Sequence, residues 1–111
     1  MTTHSMSLQK RYFDLIRDRK KTIELRLWDE KKSVIKPNDE ILFASEGEEV
    51  RVRVVDLVRA DNFQKLCERI DVGQAGFGSS KELLSVIQVF YTPEQQERYG
   101  VVGIRIERID S

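Results

Sequence analysis

From Thr22 onward the chain alternates. Ile23, Leu25 and Leu27 share one side of an extended segment, and Thr22, Glu24, Arg26 and Trp28 share the other. The apolar side predicts a strand facing a core. The same period recurs at Val50, Val52 and Val54 against Arg51 and Arg53, and at Val102, Ile104 and Ile106 against Arg105 and Glu107. Val55, Leu57 and Val58 break the middle pattern, which predicts a bulge. Glu40 to Ala44 reads as a further strand, followed by a hairpin turn at Glu46-Gly47-Glu48, and Ser5 to Leu8 as a short first one.

Other stretches follow helical spacing. Leu8, Tyr12, Leu15 and Ile16, widened by Phe13, predict a helix from about Leu8 or Gln9 to Arg17. Asp61 or Asn62 caps a second helix carrying Phe63, Leu66 and Cys67. Ser79 or Ser80 caps a third, striped by Leu83, Leu84, Ile87, Phe90 and Tyr91, and Pro93 opens a last helical turn that stops at Gly100. Asp29 is placed to cap a short turn through Lys32 or Ser33, and Pro37-Asn38-Asp39 is turn chemistry. Residues 71–78 hold three glycines without periodicity, as expected of a mobile surface loop, either plain or serving as a lid. Strand, helix, three strands, two helices and a final strand indicate an α+β fold, open sheet and barrel alike.

Composition narrows this picture. The 111 residues suit one domain, 1–111, with 40% hydrophobic and 34% charged content. Nineteen basic and nineteen acidic side chains cancel, so any anion site has to arise from local clustering. Residues 17–32 supply such a cluster, with seven basic against four acidic side chains, while 38–49 carry five acidic and none basic. No apolar run is long enough to span a membrane, and the first seven residues lack a signal-peptide core, so a cytoplasmic protein is expected. The single Cys67 excludes an internal disulfide and reads as a small buried hydrophobe. With His4 the only histidine, no zinc cluster can be assembled, and neither metal nor cofactor is expected.

The polar face of the first alternating strand carries the candidate chemistry. Lys21 at its mouth and Arg26 could meet an anion beside Glu24, with Trp28 offering a flat surface. An exposed Glu–Arg pair on a wet strand face, worth at most about 1 kcal/mol, would look the same. Lys21 could act as a base only with its pKa pulled down; unperturbed, near 10.4, it is a phosphate-binding cation.

Arg19 to Arg26 resembles the Gly-x-Lys-x-x-Glu-x-Arg signature of ASCH domains in the PUA-like superfamily: Lys21, Glu24 and Arg26 match, and Arg19 replaces the glycine. Trp28 to Lys32, Ile35 to Ile41 and Tyr99 to Ile104 extend the resemblance over nearly the whole chain. It implies a small PUA-like β-barrel flanked by helices, with a cleft beside the signature strand. It also implies an RNA or nucleotide ligand, with Lys21 and Arg26 on phosphate, Glu24 on a base edge or fixing Arg26, and Trp28 or Tyr99 stacking a base. Thr22 and Lys31 are secondary candidates. Removing Lys21 or Arg26 should then weaken binding and leave the fold intact.

Enzymatic alternatives are a ribonuclease or a hydrolase of modified nucleosides, with Lys21 as general base and Glu24 as its partner. One ASCH branch resembles an N4-acetylcytidine amidohydrolase using a Lys, a Thr three positions later and a distant Glu. Here the Thr position is Glu24, and Asp71 and Glu82 only flank the region of the distant Glu. In a third reading the Glu24–Arg26 pair merely staples the barrel and the partner is a protein.

Overall fold

Residues 2–109 are described by the computed structural model, so both ends of the expected domain lie outside the described residues. The elements run β1 (Thr3–Ser7), α1 (Lys10–Arg17), β2 (Ile23–Leu27), β3 (Glu40–Ser45), β4 (Glu48–Ala60), α2 (Phe63–Cys67), α3 (Ser80–Phe90), α4 (Pro93–Tyr99) and β5 (Val101–Arg108). One sheet contains all five strands in the order β1-β3-β4-β5-β2. Only β1 and β3 are parallel; the other pairs are antiparallel. The sheet curls into a half-barrel whose free edges are β1 and β2, which is the form the expected α+β, PUA-like barrel takes here.

Two apolar clusters cover the two faces of the sheet. Phe13 and Ile16 of α1 pack with Phe43, Val52 and Ile104 on one. Ile23, Leu25 and Leu27 pack with Phe63, Leu66, Leu83 and Ile87 from α2 and α3 on the other. Central strands covered on both sides explain the irregular pattern after Val54: a register shift between Val54 and Asp56 leaves Val55 exposed.

Local chemistry sets the boundaries. Asn62 Oδ1 accepts from Lys65 N at 2.8 Å, and Ser79 Oγ from Glu82 N at 3.1 Å. The reciprocal capping box falls instead on Thr92 and Gln95, with Pro93 opening α4. That end of the chain is therefore a complete helix, and three helices rather than two separate β4 from β5. Asn38 (φ 76°) and Gly47 (φ 83°) hold the left-handed turn positions after Pro37 and in the β3–β4 hairpin.

Two expectations change. The first strand runs Thr3–Ser7 rather than Ser5 to Leu8, so His4 belongs to β1, where its Nε2 lies 2.8 Å from Asp39 Oδ2. Nor are residues 71–78 a mobile loop. Ala75 and Phe77 are buried, and Gln74 O accepts from the backbone N–H groups of both Thr22 and Ile23. Among the described residues no helix is long and apolar enough to cross a membrane.

Candidate functional site

The face of β2 opposite Ile23, Leu25 and Leu27 is not a wet surface. Glu24 is only 5% exposed and Lys21, just before the strand, 3%. The Lys21 ammonium has three donors, and all three find internal acceptors: Ile23 O at 2.8 Å, Ala75 O at 2.7 Å and Glu24 Oε1 at 3.3 Å. Lys21 therefore ties β2 to the glycine-containing segment and leaves no donor for a phosphate, contrary to the phosphate contact expected of it. Burial pulls its pKa below the usual lysine value; Glu24 works against that shift, and Arg26 adds slightly to it.

Glu24 sits between two cations. Its Oε2 accepts from Arg26 Nε at 2.7 Å, while Arg26 Nη2 donates to Ser7 O at the end of β1 at 3.1 Å. Arg26 thereby bridges the two free edges of the half-barrel. Its side chain keeps 19% exposure, and among the described residues no partner takes its Nη1. This Lys–Glu–Arg chain lies in a cleft of about 180 Å³ walled by Leu8, Tyr12, Phe77, Ile87, Phe90 and Tyr91. Tyr12 and Phe77 are tilted against each other at 5.8 Å, Tyr91 stacks on Phe63 at 5.6 Å, and Phe90 stands 46% exposed. Burial also raises the Tyr91 pKa, keeping its hydroxyl protonated.

Of the residues expected at the site, the cleft collects Lys21, Glu24 and Arg26. Thr22, Trp28, Lys31 and Tyr99 are not among its lining residues. Thr22 is engaged through its backbone with Gln74 and Ile106. Trp28 packs against the α1 side of the core beneath Arg59, Lys31 is exposed in the turn beyond it, and Tyr99 borders a separate depression. Of the aromatic walls, Tyr12, Phe90 and Tyr91 were hidden in helical stripes that read as core, and Phe77 in the segment 71–78 that read as a surface loop. The usable signal was that Phe90 and Tyr91 end a helix, where an apolar stripe runs out into solvent. Arg19 has φ 63°, a backbone region in which the glycine of the signature is strain-free.

Comparison with known proteins places the fold. The ASCH domain family profile matches residues 6–110. A hypothetical protein known as PH0355 has a crystal structure with TM-score 0.88 and 38% identity, over 97% of this chain and 100% of that one. The solution structure of PF0455 from Pyrococcus furiosus gives TM-score 0.80 and 38% identity, over 99% and 100%. ASCH from Zymomonas mobilis, 15% identical, shares the fold with TM-score 0.61 over 96% of this chain and 67% of its own. No curated protein matches.

Proposed function

The chain belongs to the ASCH domain family, and from that premise we propose that it binds RNA or a nucleotide-like ligand in the cleft between β1 and β2. One observation carries the reading: a carboxylate buried to 5% exposure, held from both sides by Lys21 and Arg26, at the base of a slot with aromatic walls. At about 180 Å³ the slot is smaller than the roughly 300–1,000 Å³ of sites that enclose a whole drug-sized molecule. It suits one planar ring.

In this reading a nucleobase enters edge-first and donates an amino or ring N–H to Glu24. Phe90 and Tyr91 cover the ring, and Arg26 Nη1 reaches the phosphate. Lys21 is a positioning residue: it fixes the Glu24 carboxylate and the segment carrying Phe77. The test is RNA binding by Arg26→Ala, followed by fluorescence anisotropy. A charge-assisted bond of about 1.5–3 kcal/mol predicts a loss of about ten- to a hundredfold. The thermal midpoint should move by only a few degrees, because Glu24 keeps Lys21. Unchanged affinity would remove Arg26 from the site.

The buried, less basic Lys21 beside Glu24 is the observation that favours a hydrolase. Yet the amidohydrolase branch uses a Thr three positions after its Lys, where this chain has Glu24, and Thr22 does not line the cleft. Wild-type protein is therefore expected to release no cytidine from N4-acetylcytidine above a Lys21→Ala blank, as read by chromatography. Turnover lost in the blank would establish an enzyme.

A further inference from the structure

The sheet register brings a second arginine onto the face that carries Arg26. Arg26 on β2 and Arg59 on β4 both pair with Val102 of β5, one from each side. Their side chains thus leave the same face, two strand spacings or about 10 Å apart at the backbone. Trp28 shares that face, and the Arg59 guanidinium lies over its indole at 4.7 Å. Nearby, Arg98 lies over the Tyr99 ring at 5.2 Å, and Arg59, Arg98 and Tyr99 line one open depression of about 920 Å³.

An arginine on an aromatic ring is also an ordinary way to pack a surface. Charge pairing separates the two cases. Arg51, Arg53 and Arg105 are matched with Glu40, Glu107 and Asp56. Among the described residues Arg59 and Arg98 have no carboxylate partner. Asp61 at the same depression is taken by Lys65 at 3.3 Å, which leaves Glu97 as the opposing charge. A guanidinium held over a ring keeps N–H donors that no carboxylate takes, an arrangement suited to a phosphate.

We infer that the Trp28–Arg59 and Tyr99–Arg98 pairs form a second contact surface, for the phosphate backbone of single-stranded RNA. The inference rests on the cleft reading for the base and extends it along the strand: Ile87 of α3 lines both the cleft and the depression, so a backbone leaving the cleft comes next to Arg59 and Arg98. The ligand is thus an oligonucleotide that inserts one base, rather than a free mononucleotide.

Two probes separate the sites: a labelled random-sequence single-stranded RNA, followed by anisotropy over a salt series, and the nucleoside monophosphates, followed by calorimetry. With Arg26, Arg59 and Arg98 each on a phosphate, the log affinity–log salt slope for the oligonucleotide is about −2, at roughly −0.7 per contact. The double variant Arg59→Gln, Arg98→Gln should bring it to about −0.7 and weaken the oligonucleotide about tenfold, with monophosphate binding unchanged. Arg59→Lys should keep the slope, and Glu97→Lys should tighten oligonucleotide binding. Both arginines are exposed, so the thermal midpoint reports whether folding is intact. Oligonucleotide affinity and slope equal to wild type in the double variant would overturn the inference and leave the cleft reading standing. If no monophosphate binds but the double variant still weakens the oligonucleotide, the surface stands and the cleft reading falls. Wild-type protein that binds neither probe overturns both.

Discussion

Lys21→Ala should lower the thermal midpoint by about 12–20 °C. Removing one partner of a buried ion pair costs about 3–5 kcal/mol, and for a domain of this size each kcal/mol is worth about 4 °C. The physical loss is specific. Ala75 O and Ile23 O lose the donor they share, and a void opens beside Tyr12, whose ring centroid lies 5.6 Å from the ammonium. Lys21→Met keeps most of the volume and removes the buried charge, while Glu24 retains Arg26 at 2.7 Å. Its midpoint should fall by less than half as much. Differential scanning calorimetry decides it, and a Lys21→Ala midpoint within a few degrees of wild type would mean that Lys21 is a surface cation after all. The sequence pattern alone led to that milder expectation.

Glu24→Gln should make stability depend on pH. In the folded chain burial holds the Lys21 pKa below the ordinary lysine value of 10.5, whereas the unfolded chain titrates near that value. Between the two the unfolded state binds more protons, so stability rises with pH through that window and is lost as pH falls through the folded pKa. Glu24 is the group that pulls the folded pKa back up. Without its charge only burial and Arg26 remain, both lowering, and the window widens toward neutrality. The variant should be the less stable at pH 7, by about 3–5 kcal/mol for a buried ammonium without its anion. It should regain more of its midpoint than wild type between pH 7 and 9.5. Parallel pH profiles would show the account of Lys21 to be mistaken.

Much of the fold was legible in the sequence. Alternation located β2, β4 and β5, the break after Val54 located the bulge, and Asn62 and Ser79 announced two helix starts. Lys21 was not legible. A charged residue at a strand's mouth is usually solvated, and its burial depends on Ala75, which lies fifty-four positions along the chain. Alternation likewise supposes one wet face, but β2 lines a cleft on its polar side beside the Phe77 segment and α3. The three glycines of residues 71–78 suggested mobility; Ala75 and Phe77, the two apolar side chains that anchor the segment, were the better guide. Trp28 and Tyr99 seemed natural stacking partners for a base at Glu24. Strand direction takes Trp28 past the cleft, and α4 carries Tyr99 to a different depression.

The measurement that bears most directly on the cleft is a backbone amide shift map of the isotope-labelled protein titrated with a short single-stranded RNA. Binding at the cleft predicts that the largest changes fall at Ser7, Glu24, Arg26, Phe77 and Tyr91, that they saturate together, and that in Arg26→Ala they need about ten- to a hundredfold more RNA to reach saturation. Saturating changes that spare these residues and cluster elsewhere, or no changes at all, would contradict it.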